Sequence, residues 1–123
     1  MKSLRLVIFG LMVAQASGAA AAGDILGNWQ RADGKSGIRM SQCGDAVCGH
    51  ITWAKDANSP AKVGQRVFFG MKPSGNGWSG EAFNPDDGRT YSGNVIVAGS
   101  AMTTKGCVLG GLVCKSVDWK RSD

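Results

Sequence analysis

The chain is short of the residues from which most catalytic and metal sites are built. It has one histidine, His50, and one tyrosine, Tyr91. A Ser/His/Asp or Cys/His set needs a histidine aimed at a nucleophile. A zinc site needs four nitrogen or sulfur ligands at close spacing. No Cys-x-x-Cys pair exists, since the cysteines fall as Cys43/Cys48 and Cys107/Cys114. Basic residues are scattered, with no run and no aromatic interleaving, which argues against a nucleic-acid surface. Helical periodicity is absent, and past the first residues no apolar run approaches the roughly 20 residues that a membrane-spanning helix needs. An enzyme reading therefore has nothing positive to rest on, and no metal or cofactor is expected.

What is present begins with an export leader. Lys2 and Arg5 precede the apolar run Leu6–Val13, and Ala20-Ala21-Ala22 supplies small residues for cleavage after Ala22. The run is too short for an anchor, so stable membrane insertion is not expected. Residues 1–22 read as a signal peptide and 23–123 as one small domain, periplasmic or secreted. Lys2 and Arg5 leave with the leader, so twelve basic residues face nine acidic ones, a net charge of +3. At that level charge speaks mainly to solubility.

All four cysteines lie in the mature part, and an even count in an exported small domain favours disulfides. Strand parity selects the pairing. Cys43 alternates with Ile38 and Met40, and Cys48 with Gly49, Ile51 and Trp53. Cys43 and Cys48 thus share the polar face beside a Gly-Asp turn, and Cys107 and Cys114 share a face in the same way. Bridge partners must project from one face at short range, so Cys43–Cys48 and Cys107–Cys114 are expected. In each unit a tryptophan, Trp53 or Trp119, follows the second cysteine by an odd offset and should face the opposite way.

Short alternating runs separated by turns signal an all-β fold. Eight strands are expected, over 25–31, 37–43, 47–54, 66–71, 77–83, 90–97, 102–107 and 112–121. Lys72–Asn76 and the Pro85/Gly88 segment read as turns, and Lys55–Gln65 is the longest connection. Short connections give an antiparallel up-and-down meander, and closure removes its edges. Eight strands enclose an interior that side chains can fill or one small ligand can occupy.

The motifs identify a resemblance. Gly27-Asn-Trp29 looks like the Gly-x-Trp signature of lipocalins, and Arg121 stands where such folds place an arginine over that ring. Cys48-Gly-His-Ile-Thr-Trp53, Trp78-Ser-Gly-Glu with Pro85-Asp-Asp-Gly-Arg-Thr-Tyr91, and Cys114-Lys-Ser-Val-Asp-Trp119 together resemble the secreted bacterial family called domain of unknown function 2147. Where that family usually reads Asn-Pro-Asp, this chain carries Asn58-Ser59-Pro60. The resemblance implies an exported lipocalin-like barrel and brings no reaction with it.

On this reading Trp29, Trp53, Trp78 and Trp119 face inward, chiefly as core. Trp29 and Arg121 form a cation–π closure worth about 0.5–2 kcal/mol. His50 points outward with Cys48 and Thr52. Asn84, Asp86 and Asp87 offer too few oxygens for calcium, and Pro85 and Gly88 already account for that turn. The candidate ligand-binding residues are Trp53, Trp78, Asp56, Asn58, Arg66 and Tyr91, with entry beside the Lys55–Gln65 loop. The expected function is binding of a small apolar or amphipathic ligand in the cell envelope. The alternative is a filled barrel acting as an envelope protein or wall interaction module. Oligomeric state is not legible. Chelation by EDTA should leave the thermal midpoint unchanged; a drop reversed by zinc or calcium in a thermal melt would contradict this.

Overall fold

Eight antiparallel strands pair with their chain neighbours, and the last returns to the first, closing a barrel in the order β1 to β8. The computed structural model describes residues 24–122. The expected leader, its cleavage after Ala22 and the domain limits at 23 and 123 lie outside the described residues. The strands are β1 Gly27–Arg31, β2 Ser36–Cys43, β3 Ala46–Ala54, β4 Arg66–Ser74, β5 Gly77–Asn84, β6 Arg89–Ala98, β7 Ala101–Val108 and β8 Val113–Arg121. A single 3-10 turn, Leu109–Gly111, joins the last two.

Alternation sends one side of each strand into the interior. Trp29 faces Ile38 across β1/β2, Val47 faces Met71 across β3/β4, Trp78 faces Val95 across β5/β6, and Met102 faces Trp119 across β7/β8. All eight belong to one buried cluster.

One end of this barrel is plugged. Ile25 and Trp29 are fully buried. The Trp29 indole N–H donates to the Ile25 carbonyl at 2.9 Å. The Arg121 guanidinium lies 4.2 Å from the Trp29 ring centroid and donates to the Leu26 and Asp24 carbonyls at 2.9 and 2.6 Å. Trp29 and Arg121 are also a register pair of the β1/β8 seam.

Both expected disulfides are formed, Cys43–Cys48 and Cys107–Cys114. Cys107 and Cys114 stand directly opposite each other on β7 and β8. Cys43 and Cys48 lie on the outward positions of β2 and β3, although Cys48 is itself buried.

Two expectations need correction. Trp53 does not face inward. Ile38 pairs with Ile51, but Gly37 pairs with Trp53, so Thr52 is an extra residue. Such a bulge shifts the parity by one. Trp53 therefore emerges beside Thr52 on the outer face, 37% exposed, and lies over Gly37, where an added Cβ would stand 2.2 Å from the indole nitrogen. The turn expected over Lys72–Asn76 is also shorter. Lys72, Pro73 and Ser74 pair with Ser79, Trp78 and Gly77. The last β3/β4 register pair is Val47–Met71, so Pro73 sits past it, where β4 runs as an edge that tolerates a missing N–H.

Trp29→Ala should cost about 3–5 kcal/mol, and Arg121→Ala less. Because the two side chains stack, a double-mutant cycle in urea should show a non-zero coupling energy. Additive losses within error would contradict the stacked seam.

Candidate functional site

The end opposite the plug is open. The connections 32–35, 55–65, 85–88 and 109–112 gather there, and a cavity of about 540 Å³ opens between them. Its floor is apolar, with Ile38, Ile51, Val67, Phe68 and Trp119. Its rim is polar, with Arg31, Ser36, Tyr91 and Lys115. The floor comes from the mid-barrel residues of β2, β3, β4 and β8. The rim comes where inward-facing strand positions approach the loops.

Hydrogen bonding fixes the floor. The Trp119 indole N–H donates to Thr104 Oγ1 at 2.9 Å, and that hydroxyl donates to the Val117 carbonyl at 3.4 Å. A buried indole N–H and a buried hydroxyl are thereby both satisfied. Gly106 is the small residue that admits Tyr91, since a Cβ there would stand 3.0 Å from Tyr91 Cβ.

The rim is organised by two charged groups. At the first, the Tyr91 hydroxyl donates to Asp87, whose other oxygen accepts the Arg89 N–H at 3.0 Å. Lys115 Nζ lies 3.3 Å from Asp87 and 6.0 Å from the Tyr91 ring centroid. The Tyr91 hydrogen bond, joined by the Arg89 amide and Lys115 and opposed by desolvation, holds the Asp87 carboxyl below its ordinary value. Its own hydrogen bond to Asp87, with the charges of Tyr91 and Asp87, raises the Lys115 ammonium. At the second, Arg31 Nη2 lies 3.1 Å from Asp33, which also accepts the Lys35 N–H at 3.1 Å. Desolvation pushes the Asp33 carboxyl up, but the Lys35 amide and the Arg31 charge outweigh it and leave it below its ordinary value.

Of the six candidate ligand-binding residues, Tyr91 lines this cavity and the other five do not. Trp78 is buried near the plugged end, paired with Pro73. Trp53 is outside. Arg66 stands on the outer wall, 5.7 Å from the Phe69 ring centroid and 3.4 Å from His50 Nε2. Asp56 and Asn58 belong to the exposed 55–65 loop, where Asp56 accepts the Asn58 N–H at 2.9 Å and so shapes the loop's own backbone. That loop does border the mouth, through Ala61. Arg31, Thr104, Lys115 and Trp119 line the cavity and were not among the candidates. Parity carried the signal for two of them. Arg31 shares its face with Trp29, and Lys115 with Trp119.

Comparison with known proteins bears on the fold and the family. The family model described as "Uncharacterized protein conserved in bacteria (DUF2147)" matches residues 27–121. No curated protein matches the chain. A solved structure titled "Protein HP1028 from the human pathogen Helicobacter pylori belongs to the lipocalin family" superposes with a TM-score of 0.62 at 16% identity, over 80% of this chain and 83% of that one.

The Asp87 cluster generates a pH prediction. A carboxylate with a depressed folded pKa contributes stability that is complete above its unfolded value, about 3.9, and is lost as pH falls through the folded value. Lys115 acts at the other limit, its contribution complete below about pH 10 and lost as pH rises through its raised value. The Tyr91 ring resonances in an NMR titration should therefore stay constant at neutral pH and, on the acid side, move only below about pH 4. In Asp87→Asn that acid step should vanish.

Proposed function

The chain belongs to this uncharacterized bacterial family, and on that premise we propose that it is an exported, non-catalytic binding protein that holds one small amphipathic molecule in the open end of its barrel. One observation carries the reading. The cavity is apolar at depth and polar at the rim, at the barrel end opposite the plug. Its volume of about 540 Å³ falls within the roughly 300–1,000 Å³ of small-molecule sites. Eight-stranded barrels of lipocalin type hold single small ligands in this way. Export is supported by the leader pattern at residues 1–22 and by two disulfides, which persist in oxidising compartments.

A specific feature favours a second reading. Leu109, Leu112 and Val113 are 72%, 86% and 46% exposed at the tip of the β7/β8 hairpin. Clustered exposed apolar side chains mark contact surfaces, so an interaction module in the cell envelope is the competing function.

Tryptophan fluorescence separates the two. Trp119 lines the cavity and Trp53 lies outside. A titration with fatty acids and small aromatic compounds should perturb emission in the wild type and in Trp53→Phe, and much less in Trp119→Phe. If nothing in the panel binds below about millimolar, an affinity of only about 4 kcal/mol, the interaction module is the better reading.

A further inference from the structure

We propose that the polar end of the bound molecule is an anion and that Arg31 receives it; this rests on the binding function argued above.

Arg31 ends β1 and pairs with Trp119 of β8. Its position on the strand sends the side chain inward, like Trp29 two residues earlier, so the guanidinium sits where the apolar floor gives way to the rim. One donor of that group is engaged, Nη2 against Asp33 at 3.1 Å. Its neighbour on the same edge is not. Arg31 Nε is buried and has no hydrogen-bond partner, the sole such side-chain atom among the described residues. An unmade hydrogen bond from a buried charged donor costs more than from a neutral one. Arginine has five donors and no acceptor. The missing partner is therefore an acceptor, and a guanidinium edge matches two oxygens of a carboxylate or phosphate.

The sign comes from that unpaired donor and not from an excess of charge, since Arg31, Lys105 and Lys115 at the cavity are balanced by Asp86 in its lining and by Asp33 and Asp87 beside it. The neighbouring carboxylates are already engaged. Asp33 takes Arg31 and the Lys35 amide, and Asp87 takes Tyr91, the Arg89 amide and Lys115. The unfilled valence of the cavity belongs to a donor. The apolar floor below it, with Trp119, Phe68, Ile38 and Ile51, suits a hydrocarbon or aromatic body. The chemical class is a monoanionic amphiphile, and the planar fork favours a carboxylate.

Three probes with one tail test this: dodecanoate, 1-dodecanol and dodecyltrimethylammonium, each below its micellar concentration, titrated by calorimetry and Trp119 emission. Dodecanoate should bind about tenfold or more tighter than the alcohol, the range of one charge-assisted hydrogen bond, and the ammonium weakest. Arg31→Gln should weaken dodecanoate about tenfold or more, toward the affinity of the alcohol, while weakening the alcohol much less. Asp33→Asn removes the competing carboxylate and should strengthen dodecanoate selectively, so the idea does not hang on whether Arg31→Gln folds. Equal binding of dodecanoate and dodecanol, or tighter binding of the ammonium, would overturn the anion assignment and leave the cavity reading standing. Binding of none would remove the cavity reading, and this assignment with it.

Discussion

The seam between β1 and β8 is the constraint on which the remaining features depend. An up-and-down sheet of eight strands has two edges, and only pairing the first strand with the last removes them. Here that seam has three register pairs, Trp29–Arg121, Gln30–Lys120 and Arg31–Trp119. So short a ladder needs side-chain support. Trp29 and Arg121 provide it by stacking across the seam, while the guanidinium also satisfies two carbonyls of the segment before β1. Fold closure and plugging of one end are thus accomplished by the same pair of residues.

The shortness of the seam also explains the opening at the other end. β1 stops at Arg31, whereas β8 begins at Val113, so the first part of β8 and its hairpin with β7 project past β1. A projecting two-stranded ribbon is marginal on its own. Cys107–Cys114 staples it, and Lys115 ties it to Asp87 and Tyr91 on the β5/β6 side. The mouth is therefore held by a covalent bond and a polar cluster, while the interior beneath it stays unfilled. The exposed Leu109 occupies a left-handed backbone conformation, φ +55°, in the turn that reverses this ribbon. Glycines would carry that conformation without steric cost, and Gly110 and Gly111 beside it do adopt positive φ.

Much of this architecture was legible in the sequence, for physical reasons that also mark the limits. Period-two alternation and the spacing of turn residues gave eight strands, and the shared parity of paired cysteines gave both bridges. Parity fails where a strand carries an extra residue. Nothing in the residue types at Thr52 announces the bulge, because it is a property of the β2/β3 register, and so the facing of Trp53 came out reversed. Parity also reports a face without a height along the barrel axis. Trp78 is inward as expected, yet it belongs to the plugged end. Arg31 and Lys115 went unnoticed for a different reason. Their parity matched Trp29 and Trp119, but charged residues are ordinarily assigned to the surface, and only an open barrel end gives them room to turn inward.

A small barrel with a hollow end faces an energetic problem that the disulfides help to solve. A domain of about 100 residues buries a smaller fraction of its surface than a larger one, and a cavity removes core that would otherwise contribute. Filling the interior would restore stability and abolish the site. The two bridges lie on outward positions of their hairpins, Cys43–Cys48 at the plugged end and Cys107–Cys114 at the mouth. Each closes a short loop, so each contributes no more than about 2–3 kcal/mol by restricting the unfolded chain. That contribution takes up no interior volume. The same reasoning applies to Trp119 and Thr104, which satisfy each other by hydrogen bonding at the cavity floor. Polar satisfaction there lets a hydroxyl and an indole remain buried under an open space without demanding water or a ligand. Arg31 is the contrast. Its Nε is buried and left without an acceptor, on the residue that pairs with Trp119 across the β1/β8 seam. Among the described residues it is the one buried polar side-chain atom without a partner, and Arg31 lines the open end of the barrel.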